Sequence, residues 1–510
     1  MRHTFHLKTL AVAVATLSVA SVASAAGLDR SGQDITAFLQ DGTYAEAVYT
    51  YIDADVTGYD NAYVGSDNKA YTQGKKIDDI AESYDFFRYG VKTDINDTFS
   101  VGILYDEPFG AAADYTGNNN FVGAPTDAVN NIIASRLGGL GVNNVEELKG
   151  LVEGTQNQLT AAETRLNAVR EQVRQAQAAV NQNPALEPAL RPQINAGLAG
   201  IAAGETQLAE GQAQLNQLEQ LEGFADGRLA NDEGTNVEVR SESITGILGA
   251  KFGQNKEFQV YGGPVVQRIK ADVSLRGSAY SAATGYTAHI SPDTDYGYIA
   301  GISYSKPEIA LKAALTYRSE IDHSSNIDEI YPVVAALGGE ANQGNTLDIT
   351  TPKSVNFDFQ TGINPTTLAT AKVRWVPWSD FAIVPPLYNE VSKQATNDDK
   401  GLSLVSYDDD QWQVELGLAK RLAPALAVSG TVGWDSGAGN PVTSLGPIEG
   451  YYSAGLGAKY NVTENWAVSA GGKYLWFGDA EGQIPTKAIV SDFESNDGFV
   501  LGVKVSYQAQ

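Results

Sequence analysis

The chain has no cysteine, so no disulfide contributes to its stability. Its single methionine is the initiator. Histidine is scarce: there are four, of which His3 and His6 lie at the extreme N-terminus, leaving His289 and His323. No Gly-x-Ser-x-Gly elbow, no metal-spaced His/Cys cluster and no phosphate-cradling glycine loop occurs. A barrel lipase would need a serine beside His289 or His323, yet a lone loop histidine is far more often a solvated residue. The expectation is therefore a protein that is not an enzyme and uses no metal or cofactor. The acidic run Asp408-Asp409-Asp410 could hold a cation but reads better as a solvated loop edge, because no ligand spacing repeats. Positive charge is also in deficit, with 35 Lys and Arg against 61 Asp and Glu and a net charge of −26. That balance excludes nucleic acid as a partner, since phosphates need a basic surface. Long apolar runs are missing as well: after residue 25 none approaches the ~20 residues a membrane helix requires. Two classes survive, an exported soluble protein and a membrane β-barrel.

The N-terminus carries a leader. Arg2 and Lys8 supply a positive start, Leu10 to Val22 is an apolar stretch too short to span a bilayer, and Ala23-Ser24-Ala25 is a small-x-small site. Residues 1–25 are therefore expected to be a cleaved signal peptide. Beyond it, segments of period-two alternation recur, the sign of a strand with two different faces. In one, Ile309, Leu311, Ala313, Leu315 and Tyr317 oppose Lys312, Thr316, Arg318 and Glu320. In others, Trp412, Val414, Leu416 and Leu418 oppose Gln411, Gln413 and Glu415, and Phe499, Leu501, Val503 and Val505 oppose Gly502, Lys504 and Ser506. Fourteen such segments lie near 44–56, 84–95, 98–109, 237–253, 257–276, 294–306, 308–327, 352–363, 366–384, 411–421, 425–436, 451–460, 466–478 and 498–508. Their connections alternate short (Asn96-Asp97, Lys306-Pro307, Asn364-Pro365) and long (57–83, 110–236, 277–293, 328–351, 385–410). An even strand number with short turns at one end and long loops at the other is the plan of an outer-membrane barrel. The fold class expected is all-β, a transmembrane antiparallel barrel of 14 strands over 44–510, apolar face to lipid. Trp375, Trp378, Trp412, Trp434, Trp466 and Trp476 fall at strand ends, as an interface girdle requires.

Two segments stand apart. Between Val145 and Leu221 the composition shifts to Ala, Gln, Leu and Glu. Leu159, Ala162, Leu166, Val169, Val173, Ala176 and Val180 recur at helical spacing. Pro184, Pro188 and Pro192 interrupt, and Ile194, Leu198, Ile201, Leu208 and Leu215 resume it. This predicts an antiparallel helical hairpin inserted at 126–225 in an extracellular loop, as a gate, a capture surface, a partner site or a tolerated insertion. Residues 26–43 precede the first strand and are expected either to plug the lumen or to form a periplasmic tail. Basic residues placed on lumen faces by the alternation, Arg268, Lys270, Arg318, Lys372 and Arg374, are candidates to receive a carboxylate; pairing with acids such as Glu320, Asp272 or Glu415 is the simpler role for each. Glu107-Pro108-Phe109-Gly110 interrupts the third strand. Proline cannot donate to the ladder and glycine weakens it, so Pro108 and Gly110 mark either a strand end or an opening in the wall.

Particular stretches resemble the FadL family of outer-membrane hydrophobic-compound transporters. Ala314-Leu315-Thr316-Tyr317-Arg318-Ser319-Glu320-Ile321 is similar to that family's ALTYRSE strand. Tyr51-Ile52-Asp53-Ala54-Asp55-Val56 is similar to its first-strand YIDPDV, and Trp378-Ser379-Asp380-Phe381 to its SWSQF. The resemblance implies an N-terminal hatch, an extracellular hydrophobic groove and passive exit through a lateral opening. Arg268 matches a basic position of the family's fifth strand. The chain departs from the pattern in three places. Leu39-Gln40-Asp41-Gly42 stands where the family has Asn-Pro-Ala, the C-terminus ends Tyr507-Gln508-Ala509-Gln510 where the barrel assembly machinery expects an aromatic residue, and the helical insertion follows strand three instead of five. The expected function is passive uptake of long-chain fatty acids or other hydrophobic small molecules across the outer membrane, past its lipid and lipopolysaccharide. The alternatives are a general or anion-selective porin and a surface-exposed adhesin-like barrel.

Overall fold

The computed structural model describes residues 28–63, 70–123, 126–228, 233–336 and 339–509. The expected signal peptide lies outside the described residues. Fourteen antiparallel strands close on themselves: β1 (Thr43–Asp55), β2 (Tyr84–Asp94), β3 (Phe99–Asp106, continued as Gly110–Asp114), β4 (Asn236–Phe252), β5 (Phe258–Ser274), β6 (Thr287–Lys306), β7 (Leu311–Arg318, continued as Ile321–Ile330), β8 (Asn342–Thr351, continued as Ser354–Asn364), β9 (Thr367–Val376), β10 (Gln411–Ala423), β11 (Leu426–Asp435), β12 (Glu449–Asn461), β13 (Trp466–Gly478) and β14 (Asp497–Ala509). Closure runs through β1 and β14, from Thr43↔Ala509 to Asp55↔Asp497. Each strand is thereby paired on both sides, which removes the sheet edge that a bilayer cannot tolerate.

The alternation works because the wall separates two environments. Outward residues such as Val91, Ile103, Leu248, Leu416, Leu456 and Leu501 are exposed, while their inward neighbours Lys92, Ser100, Thr245, Gln413, Lys459 and Lys504 are buried. Trp412, Trp434, Trp466 and Trp476 lie on the exposed face. Trp378 does not belong to that girdle: it is fully buried, because Pro377 ends β9 and turns the chain inward.

Strands β6 to β8 rise higher than the sequence pattern indicates. β6 begins at Thr287 instead of 294, and β8 at Asn342 instead of 352. The reason is a reversal of polarity along each strand. Low on β5, Phe258 and Val260 face out and Gln259 faces in. High on the same strand, Ile269, Ala271 and Val273 are buried inside while Arg268, Lys270 and Asp272 are exposed outside. The lower part separates lipid from a polar lumen, and the upper part separates water from an apolar interior. The same alternation thus carries opposite meanings at the two heights.

Above this collar, Gly58–Asn61, Gln73–Ile77, Val442–Thr443, Ala480–Gln483 and Ile489–Phe493 form a separate five-stranded sheet over the long-loop end. The loop after β3 holds α1 (Thr126–Leu137), α2 (Val145–Gln182) and α3 (Glu187–Arg228). Asn144 caps α2 by accepting from Glu147 N–H. Helices α2 and α3 pack along a seven-residue repeat. Leu159, Leu166 and Val173 sit directly on Gly211, Gly204 and Gly197, so closely that a Cβ on any of these glycines would lie within 3 Å of the opposing side chain. Leu198, expected in the seam, is exposed instead; the repeat passes through Gly197, one residue earlier. At its base, Leu148, Val152, Leu215, Leu218 and Leu221 pack with Val129 and Ile133 of α1.

Candidate functional site

The site begins where β3 breaks. Below the break, Tyr89 pairs with Tyr105, and above it Ala81 bridges Ala113 in the same register. Between these points β2 and β3 form no ladder pairs among the described residues. Proline at 108 cannot donate, and the chain swings inward through Phe109. The freed backbone groups find partners inside the protein, as a barrel wall demands. Arg30 N–H donates to Pro108 O (2.8 Å), Gly110 N–H donates to Leu28 O (2.8 Å), and Asp29 bridges Phe109. Phe109 N–H donates to Ser241 Oγ (2.7 Å), whose hydroxyl donates back to Phe109 O (2.7 Å). On the wall side, the Glu107 carboxylate accepts from the Tyr84 hydroxyl (3.4 Å) and from Phe87 N–H (3.5 Å). The Arg30 and Arg240 guanidinium groups each lie 4.7 Å from the Tyr84 ring centre.

Behind Phe109 lies an apolar chamber, lined among others by Leu28, Val239, Ile269, Ile290, Ile349 and Trp378. Trp378 meets Phe109 edge-on at 5.7 Å and donates its indole N–H to Gln411 Oε1 (2.9 Å). Higher in the same core, the helix Pro386–Thr396 is tied down by Glu329, whose carboxylate accepts from Leu387 and Tyr388 N–H (2.9 and 3.0 Å) and from the Tyr286 hydroxyl (2.8 Å). A negative charge at a helix N-terminus satisfies its free N–H groups and its dipole.

The residues from Leu28 to Gly42 run through the lumen against the wall. Arg374 Nε and Nη2 grip both oxygens of Asp29 (2.7 and 2.9 Å), and its Nη1 reaches Gln33 and Asn356. Lys372 Nζ meets Asp34 Oδ2 at 2.8 Å, with Arg88 3.7 Å away. Ser31 donates to Asp106 (3.0 Å), Ser354 donates to Gln33 (2.6 Å), and Lys312 donates to Leu39 O. Burial alone would raise the Asp34 carboxyl, but Lys372 and Arg88 outweigh it and hold it well below the usual carboxylate range.

Of the five basic candidates, the structure brings three together. Arg374 and Lys372 bind acids of the N-terminal segment, Asp29 and Asp34, where the sequence pattern pointed to acids of the wall. Arg318 lies in the same layer, fully inside, with Nη1 on Thr245 Oγ1 (3.0 Å) and with Nε and Nη2 lacking a hydrogen-bond partner among the described residues. Arg268 and Lys270 are corrections. Both are exposed on the outer face, because they sit in the collar where polarity is reversed and Gln267 and Ile269 face inward. Glu320 also lies outside, near Lys353 (3.7 Å), and Asp272 pairs outside with His289 (2.6 Å). Glu415 pairs with Lys473 inside the lumen. Pro108 and Gly110 both fall in the β3 break. The apolar lining, drawn from seven segments distant in sequence, had no local signal except Pro108 itself.

A family model described as "Outer membrane protein transport protein (OMPP1/FadL/TodX)" matches residues 207–508. Among curated proteins no sequence matches. Among solved structures, a Pseudomonas aeruginosa FadL homologue is 12% identical, covers 92% of this chain and 90% of its own, and superposes with a TM-score of 0.56. The Pseudomonas putida toluene transporter TodX (8% identical, 96% of each chain, TM-score 0.47) and the Ralstonia pickettii toluene transporter TbuX (9%, 95% of each, 0.45) are more distant in shape.

Proposed function

The chain belongs to the outer-membrane transport protein family OMPP1/FadL/TodX, and from that premise we propose that it carries amphipathic acids of the long-chain fatty acid kind inward by a passive route. The ligand enters the long-loop end, on the outside of the cell, and occupies the apolar chamber behind Phe109. It leaves sideways into the outer-membrane lipid between β2 and β3. The observation that carries this reading is the coincidence of the chamber, which is apolar and adjoins the wall, with the break at Glu107-Pro108-Phe109. A route that ends in lipid never exposes an apolar chain to water, which is the favourable outcome for a ligand driven by burial. Arg318, one layer below the chamber, has guanidinium nitrogens free to receive a carboxylate. In this reading residues 28–42 are the hatch that denies a straight path to the periplasm, and Arg374 and Lys372 are its anchors. The hairpin α2–α3 stands outside the cell.

A porin reading rests on a different cavity. A cleft beside the N-terminal segment is lined in part by Lys312, Lys372, Asp358, Glu415 and Thr431, polar groups suited to water and ions. The two readings separate in proteoliposomes that report oleate, toluene and sucrose entry. Oleate entry well above sucrose supports the proposal, and Arg318→Gln should slow oleate severalfold while leaving toluene unchanged. Sucrose entering as fast as oleate would replace it with the porin.

A further inference from the structure

The ladder is interrupted a second time, between β6 and β7. Ser319 N–H donates to Tyr298 O (3.0 Å) at the lower end, and pairing resumes at Ile327↔Ile290. Between these points the strands form no ladder pairs among the described residues. Pro292 lies within this stretch, next to a register shift against β5 between Ile269 and Ala271. Three side chains converge there from the inner face: Asp293 and Asp295, two apart on β6 and so on one side of it, and His323 of β7. One ligand atom from each lies within 4.8 Å of the others.

His323 presents each of its ring nitrogens to an oxygen atom. Its ring is wholly buried, with Nδ1 3.2 Å from Asp293 Oδ2 and Nε2 3.1 Å from Gln267 Oε1. The Thr351 hydroxyl donates to that same Gln267 oxygen at 2.7 Å. With Nε2 held against Gln267 Oε1, Nδ1 faces the Asp293 carboxylate, and the space between His323 and the two acids suits a cation. This is also the arrangement of a metal-ligating histidine, whose second nitrogen donates to an oriented oxygen. On the same inner face, two residues along, the Ser325 hydroxyl is buried without a hydrogen-bond partner among the described residues.

We propose that Asp293, Asp295 and His323 bind one divalent transition-metal ion in the gap between β6 and β7, with Gln267 orienting the histidine. Two carboxylates and an imidazole form a mixed oxygen and nitrogen set. Such a set favours Zn²⁺ over Ca²⁺, which prefers oxygen alone. The fourth position of the ion falls to water. The bound ion joins two strands where the backbone does not, so its role is to staple the collar of the wall. Sequence spacing could not reveal it: the histidine is 28 residues from the nearer aspartate, and neither stands in a metal motif.

The test uses the full-length protein in detergent, stripped with EDTA and titrated calorimetrically with Zn²⁺ and, separately, with Ca²⁺. Cobalt(II) absorption provides a second readout of nitrogen and oxygen ligation. One Zn²⁺ per chain is expected, at least tenfold tighter than Ca²⁺. Asp295→Asn and His323→Gln should each weaken Zn²⁺ at least tenfold, and Asp295→Asn should abolish the rise in melting temperature that Zn²⁺ gives the parent. Should His323→Gln fail to fold, the partly exposed Asp295 supplies the decisive variant. Zn²⁺ binding that is absent, or that persists unchanged in the Asp293→Asn/Asp295→Asn pair, overturns the proposal and returns His323 to a buried, proton-bearing partner of Asp293. The result stands apart from the transport assay, since neither ligand entry nor release is read.

Discussion

Between β2 and β3 the unpaired backbone is met by other backbone, that of Leu28 to Arg30. Between β6 and β7 the unpaired stretch is lined by the side chains of Asp293, Asp295 and His323. Both gaps lie next to a proline, Pro108 in one and Pro292 in the other. In both, the register is the same below and above, so the wall parts and rejoins without slipping. Their surroundings differ. The first gap backs onto an apolar chamber and is occupied by the N-terminal segment. The second is lined by charge and holds no such segment among the described residues. On the two proposals made above, the first gap is the exit and the second is held by a bound ion.

The strongest way to break this contrast is to remove the segment that fills the first gap. Deleting Leu28 to Gln40 strips Pro108 O and Gly110 N–H of their partners and leaves Arg374 and Lys372 facing an open lumen. Single-channel conductance in planar bilayers should rise severalfold and become steady. A conductance equal to the parent's would mean that the segment does not obstruct the lumen.

A narrower version attacks one anchor. The Asp29–Arg374 pair is buried and bidentate. Removing one partner of such a pair leaves the other uncompensated, at a cost of about 3–5 kcal/mol. Asp29→Ala should thus yield brief openings in bilayer recordings, and Asp29→Asn with Arg374→Gln should flicker less than either single change. Equal flicker in single and double variants would mean the pair carries no coupling.

The third comparison sets the prolines against each other. Pro108→Thr with Gly110→Val should lower oleate uptake severalfold while the barrel keeps its heat-modifiable band shift. A Cβ at Gly110 would press on Val239 O, the Tyr84 hydroxyl and Arg30 Nε, all 3.0–3.3 Å away. Pro292→Thr should leave uptake unaltered. If both substitutions slow uptake alike, the first gap has no special claim as an exit.

How much of this was legible in the sequence follows from the physics of alternation. Where a strand divides lipid from a polar lumen, inward and outward residues can be assigned by inspection, and Lys372, Arg374 and Lys504 face where the pattern puts them. In the collar the same alternation divides water from an apolar interior. The rule then points Arg268 and Lys270 the wrong way and stops β6 and β8 too early. Pro108 marked an interruption, because a proline in a central strand is anomalous, but left open whether the strand ended there or the wall parted. Partners could not be read at all. Asp29 and Arg374 are separated by 345 residues, and nothing local to either names the other. The hairpin lay between these cases: its helices were plain from spacing, but the role of Gly197, Gly204 and Gly211 as the floor of the seam appears only once the two helices are paired.

The smallest effect concerns acid. Asp34 sits in the lumen between Lys372 and Arg88, with Asp358 and Glu46 the nearest acids around them. Its carboxyl is held well below the usual range by the two cations. A carboxyl depressed in the folded state stabilises that state at every pH above its unfolded value, roughly 3.9. The contribution fades only as pH falls through the lower folded value. The N-terminal segment should accordingly stay docked from pH 8 down to pH 5, with flat conductance, and loosen only in stronger acid. Asp34→Asn removes the charge at every pH, so that variant should open at neutral pH and respond less to acid than the parent. Bilayer recordings at pH 8, 5 and 3 make the comparison. A parent channel that opens between pH 8 and pH 5 would show that some group other than Asp34 governs the docking, and the ion pair with Lys372 would lose its place as the anchor of the middle of the segment.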